Sequence, residues 1–239
     1  MAEPSAASTS LQRLGAWAVH LYTATGALTA FAAILAIDRQ NYRTAFLWLA
    51  IATVVDTTDG ALARFARVKE RVPELDGARL DDIVDYLTYV FVPVLLLYHA
   101  GLLPVSWGWL AAAAVLLSSA YGFASVDAKS DDYFFTGFPS YWNIVALYLF
   151  AARVSPDVNA LVLFVLSGLV FVRTGYVYPS RTPVLRSVTT ILGIIWAVLV
   201  LAMISAIPDV PRALLIGSLF FPVYYFVLSF VLHRRRQRS

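Results

Sequence analysis

The chain has 239 residues, 60% of them hydrophobic and 14% charged, with a net charge of +3 and no cysteine. A soluble domain carries about 25% charged residues, so this composition and the mean hydropathy of +0.72 point to an all-α, polytopic membrane protein. Disulfides and thiolate chemistry are excluded, and the three scattered histidines, His20, His99 and His233, argue against a histidine zinc site.

Residues 1–13 read as a small, polar, flexible tail. The first apolar segment, 14–37, is too long for a signal peptide and reads as a retained transmembrane helix, since about 20 residues span the hydrocarbon core. A polar turn at Asp38–Asn41 leads into a second helix over 44–67. A basic connection, 68–77, holds the breakers Pro73 and Gly77. Helices are predicted next over 79–99 and 105–125, followed by the aromatic stretch 126–140. Shorter apolar segments at 141–152 and 158–174 precede a loop with two prolines, Tyr176–Pro183. Final helices over 185–206 and 212–232 end in a basic tail, 233–239. The reading is a single transmembrane domain, 14–232, with about eight spans and no internal repeat.

Lysine and arginine bias orients the chain. With both termini inside, fourteen basic residues fall on the cytoplasmic side, against four (Arg39, Arg43, Arg153 and Arg212) outside. The terminal basic run is explained by topology and attraction to anionic lipid, so the expected partner is the bilayer, not nucleic acid.

The stretch that sets the chemistry is VVDTTDGALARFARVKERVPELDGARLDDIVDY, 54–86. An aspartate at bilayer depth costs about 2.5–3.5 kcal/mol, and four of them, Asp56, Asp59, Asp81 and Asp85, demand neutralisation. On a helix, Asp56, Asp59, Gly60, Ala63 and Arg64 share one face, and Gly77, Asp81 and Asp85 share another. Facing carboxylate stripes suit Mg²⁺ or Mn²⁺, hard ions with oxygen ligands. Two such ions could clamp a diphosphate for in-line displacement at phosphorus. The small residues admit either a substrate or a closely packed helix. Competing readings of the acids are an ion-pair network with Arg64, Arg67 and Arg79, or a cation-coupled transporter.

The pattern D-x-x-D-G-x-x-A-R followed by G-x-x-x-D-x-x-x-D resembles the signature of the CDP-alcohol phosphotransferase family. The twelve residues between Arg64 and Gly77, together with FFTGFPSYWN and YVYPSR, are most similar to its bacterial phosphatidylcholine-forming branch. The resemblance implies transfer of a phosphatidyl group from CDP-diacylglycerol to choline, with release of CMP, in a bacterial inner membrane. It implies Asp56, Asp59 and Asp81 as ligands to Mn²⁺ or Mg²⁺, with two ions, and Asp85 as general base that also touches a metal. It further implies that Asp56, Gly60, Ala63, Arg64 and Gly77 meet the nucleotide lipid, and that the enzyme forms a homodimer. Serine, inositol or glycerol phosphate are the alternative acceptors within the family.

Choline is a quaternary ammonium, bound by aromatic faces. The candidates near the cytoplasmic helix ends are Tyr86, Tyr89, Tyr121, Phe134, Phe135, Tyr141 and Trp142. Tyr89 extends the Asp81–Asp85 stripe by one further step of four. Membrane-interface anchoring is the competing explanation for any one of them. Arg181 is the first choice for a lipid phosphate contact, ahead of Lys129, Arg173 and Arg186.

Overall fold

A computed structural model describes residues 6–125, 134–172, 174–177 and 184–236. Arg181, Lys129 and Arg173 lie outside the described residues. The chain is a helical membrane protein. Its elements are α1 (Ala6–Asp38), α2 (Tyr42–Phe65), α3 (Val68–Arg71), α4 (Gly77–Asp85), a π-helical turn (Tyr86–Phe91), α5 (Val92–His99), α6 (Gly108–Ala124), β1 (Phe134–Thr136), α7 (Trp142–Ala152), α8 (Pro156–Val170), β2 (Gly175–Val177), α9 (Arg186–Ser205), α10 (Arg212–Ser218) and α11 (Phe220–Arg236).

Among the described residues, four helical stretches are long and apolar enough to cross a membrane: Ser10–Asp38, Tyr42–Phe65, Arg186–Ser205 and Arg212–Arg234. Gly108–Ala124, Trp142–Ala152 and Pro156–Val170 are apolar but shorter. The helix that runs from Gly77 through the π turn to His99 carries Arg79, Asp81, Asp82 and Asp85 in its first part. The structure therefore supports a multi-pass all-α architecture, with four helices that qualify by length and composition where about eight spans were expected.

Helix boundaries follow local chemistry. Asn41 caps α2 by accepting a hydrogen bond from the Thr44 amide at 3.2 Å, and Asp76 caps α4 by accepting from the amides of Ala78 and Arg79. Ser155 caps α8, whose first position is Pro156. The start of α1 differs from expectation: it begins at Ala6, inside the stretch read as a tail. Helix propagation onto Ala6 and Ala7 is favourable once the following turns are formed.

The main core lies where α5, α6, α7 and α8 meet, with Trp142, Leu96, Leu97, Leu147 and Leu163 enclosed. A short antiparallel sheet was not foreseen. It pairs β1 with β2, Phe135 opposite Tyr176 and Thr136 opposite Gly175. Gly137 ends β1 at φ +82°, where an added Cβ would sit 2.1 Å from the Val170 carbonyl oxygen. Only glycine fits there, so this residue locks the β1 strand onto the end of α8.

The first helix forms a shared wall. α1 packs against both α2 and α4. At Gly26 the approach to α4 is so close that an added Cβ would lie 2.4 Å from Val84 Cγ1. The long segment between Arg64 and Gly77 also docks on α1. Val68 and Val72 are buried with Ala16 in a small satellite core, and Glu74 pairs with Arg13.

Candidate active site

Asp56 sits in the second half of α2, and Asp81 and Asp85 one helical step apart on α4. Their helices have been brought face to face by α1. Each of the three carboxylates offers an oxygen, and these oxygens lie within 4.8 Å of one another, all three residues being half-buried. Hard divalent cations bind carboxylate oxygens at about 2.0–2.6 Å, so the donor set fits a metal ion once the side chains close on it. Like charges held this near one another and partly out of water are costly unless a proton, a hydrogen-bond donor or a cation offsets them, and a metal ion is one group that could do so.

Asp59 is not part of that group. Its side chain is buried, and Oδ2 accepts a hydrogen bond from Thr23 Oγ1 of α1 at 2.8 Å. The sequence stripe placed Asp56 and Asp59 together because they are one turn apart. A turn of 3.6 residues still rotates them by about 60°, enough for Asp59 to be taken by the α1 wall.

The small residues divide in the same way. An added Cβ at Gly60 would meet only Arg64 Nη1, at 3.5 Å, so this position is open beneath the guanidinium. Gly77 is instead filled by the His20 imidazole, whose Cε1 would lie 2.9 Å from an added Cβ. Ala63 packs beside Ala16, Val68 and Val72. Gly77 and Ala63 thus serve close packing with α1, whereas Gly60 and Arg64 face space a ligand could enter.

The aromatic candidates also separate. The Tyr89 hydroxyl donates to Asp56 Oδ2 at 2.7 Å, and its ring lies 6.1 Å from that of Tyr141. Tyr141 in turn sits 6.4 Å from Tyr225 on α11, which stacks on Tyr176 of β2 at 6.4 Å. Four tyrosines therefore run outward from the carboxylate group. Tyr86 is turned the other way, with its hydroxyl on the Leu116 carbonyl and its ring edge-on to Phe123. Tyr121 is exposed and packs on Phe171. Trp142 is fully buried, its indole N–H donating to Ser119 at 2.8 Å, so it presents no face to a ligand and serves as a core wedge.

Tyr176 and Tyr225 escaped the sequence reading. Tyr225 lies in a segment apolar enough to be read as plain span, and Tyr176 is brought to it by the β1–β2 pairing. Thr23 and His20 were missed as well, because nothing in the apolar first segment announces which face meets α2 and α4.

No protein-family model matches the chain. Curated relatives do. The chain is 34% identical to a phosphatidylcholine synthase of Rhizobium meliloti over 217 residues, which cover 91% of this chain and 90% of that one. It is 37% identical to the Pseudomonas aeruginosa phosphatidylcholine synthase, with 92% of each chain covered. With the phosphatidylcholine synthase of Legionella bozemanae it shares 43% identity over 77% of this chain and 88% of the relative. Similarity this high, across nearly the whole length of membrane helices and through the segment that carries the carboxylate group, places the chain in the phosphatidylcholine synthase family of phosphatidyl-transferring enzymes.

Proposed function

We propose that this enzyme transfers the phosphatidyl group of CDP-diacylglycerol to choline, forming phosphatidylcholine and CMP. The convergence of Asp56, Asp81 and Asp85 from two helices carries this reading. Those three residues would hold Mn²⁺ or Mg²⁺, and a second ion would draw on the Asp59 oxygen that Thr23 does not engage. When bound, the cations supply neutralisation of the diphosphate and stabilisation of the departing CMP.

The protein's own part is to position and to move a proton. Asp85 takes the proton of the choline hydroxyl. The freed oxygen forms a bond to the phosphorus that bears the diacylglycerol, and the bond from that phosphorus to CMP breaks. A positioned carboxylate base contributes about 10²–10⁴-fold. Arg64, exposed above Gly60, meets the nucleotide lipid's phosphates, with Gly60 leaving room below. Arg181 is proposed as a further phosphate contact.

Choline recognition falls to Tyr141, the half-buried member of the tyrosine row, whose ring face suits a quaternary ammonium; the buried rings of Tyr225 and Tyr176 support it from behind. The eight-span topology, with both termini and the active site at the cytoplasmic face of the bacterial inner membrane, is supported by the fourteen-to-four basic asymmetry. That orientation lets a water-soluble alcohol meet a membrane-bound nucleotide lipid, and a homodimer is the proposed assembly. The test is to supply purified protein with CDP-diacylglycerol, Mn²⁺ and each of choline, serine, inositol and glycerol phosphate in turn. CMP should appear only with choline. Equal release with another alcohol, or with none, overturns the assignment.

A further inference from the structure

A buried phenol reaches the carboxylate group across the bundle. The Tyr89 hydroxyl donates to Asp56 Oδ2 of α2 at 2.7 Å. Tyr89 is almost wholly enclosed, at 8% exposure, so its hydroxyl has little access to a ligand.

Tyr89 lies inside the π-helical turn Tyr86–Phe91, which begins directly after Asp85. π turns are rare and recur at functional sites because they re-aim side chains within an otherwise regular helix. Here the wider turn lies between Asp85 and the regular helix α5, and it carries the tyrosine that reaches across to α2. Residues that bind the groups around a metal ligand fix its plane and basicity, and their loss typically weakens metal binding 10–100-fold.

We propose that Tyr89 is a positioning residue for the metal site: its hydroxyl fixes the Asp56 carboxylate through Oδ2 so that the carboxylate is presented to a divalent cation in one orientation. The phenol's hydroxyl and ring then have separate duties. The hydroxyl acts on Asp56, and the ring supports Tyr141.

This inference rests on the proposed metal role of Asp56, Asp81 and Asp85, and its test keeps the two apart. Free Mn²⁺ is followed by electron paramagnetic resonance while the purified full chain, in lipid nanodiscs without CDP-diacylglycerol, is titrated with the metal. Tyr89→Phe keeps the ring and removes the hydroxyl. It should raise the Mn²⁺ dissociation constant about tenfold, with the choline KM at saturating Mn²⁺ changed less than twofold. Wild-type Mn²⁺ affinity in Tyr89→Phe overturns the positioning role, as does a raised choline KM with metal binding unchanged. Asp81→Asn serves as the reference: if it binds Mn²⁺ as tightly as wild type, the metal assignment itself fails, and the positioning role with it.

Discussion

The first and last helix pairs cross the same membrane under opposite rules. In α1 and α2, the most apolar windows have mean hydropathies of 1.5 and 1.3, and 44% and 33% of each is buried in the protein. In Arg186–Ser205 and Arg212–Arg234 the hydropathies rise to 2.4 and 2.1, while burial drops to 22% and 17%. The more polar helices are the more enclosed. His20, Thr23, Thr29 and Asp59 are buried in the first pair, whereas Ile191, Ile194, Val198, Val227 and Phe230 of the last pair point outward. Lipid offers no hydrogen bonds, so a helix with polar work must be wrapped by other helices, and one that faces lipid needs only apolar side chains. Tyr225 joins the two regions: it sits on the outer pair and is buried against Tyr141 and Tyr176.

The sharpest contrast is a matched pair of substitutions. Asp81→Asn should lower choline-dependent CMP release by at least about 10³-fold, the scale of transition-state charge stabilisation that a metal supplies. Ile194→Ala, on the lipid face, should change it less than about twofold, as expected for a surface change that disturbs no partner. Comparable losses from both would dissolve the distinction between the regions.

The close approach of α1 to α4 tests the wall itself. Gly26→Val would drive a side chain into Val84 and should destabilise by about 1–3 kcal/mol or more, pulling Asp81 and Asp85 from Asp56. Activity and thermal stability should fall together. A compensating Val84→Ala in the same chain should restore part of both, and failure of that rescue would place the damage elsewhere.

A smaller effect is expected where the half-buried Tyr141 meets Tyr225 of the outer pair. Tyr141→Leu retains bulk and removes the ring face, so the choline KM should rise about 2- to 30-fold, the equivalent of a cation–π contact of about 0.5–2 kcal/mol. The KM for CDP-diacylglycerol should stay near its wild-type value. Equal shifts in both constants would reduce Tyr141 to a packing residue.

The smallest effect belongs to the surface contact beneath the wall. A hydrogen bond from its own backbone N–H, helped by the Arg13 guanidinium, holds the Glu74 carboxyl below the ordinary value of 4.5. A depressed carboxyl pKa contributes stability above the unfolded value and loses it as pH falls through the folded one. Glu74→Gln should therefore melt slightly earlier than wild type at pH 7, and the difference should vanish once the pH is well below 4.5. A difference that persists in acid would detach the effect from this ionisation.

Much of the site was legible because its logic is local. Asp81 and Asp85 stand four apart on one helix, and both face Asp56 in the fold, as the stripe required. The direction of Tyr89 was legible for the same reason, though its hydroxyl reaches Asp56. Trp142 shows where local reading stops, since an interface aromatic and a core wedge look alike until neighbouring helices close over one of them. Gly77 and Ala63 make the same point: a small residue leaves room, and only its neighbours decide whether substrate or His20 fills it.

By itself, the sequence determined an all-α membrane protein with acidic residues collected on two helices. Hydropathy and the 3.6-residue period act within a single segment, so they are readable without the fold. Tertiary structure decided that Asp59 turns to Thr23 while Asp56, Asp81 and Asp85 converge. It also decided that Tyr176 and Tyr225 join the tyrosine row, and that the long connection before Gly77 docks on α1. Each of those outcomes depends on which distant helix arrives at a given face, through contacts between residues tens of positions apart that no local pattern encodes.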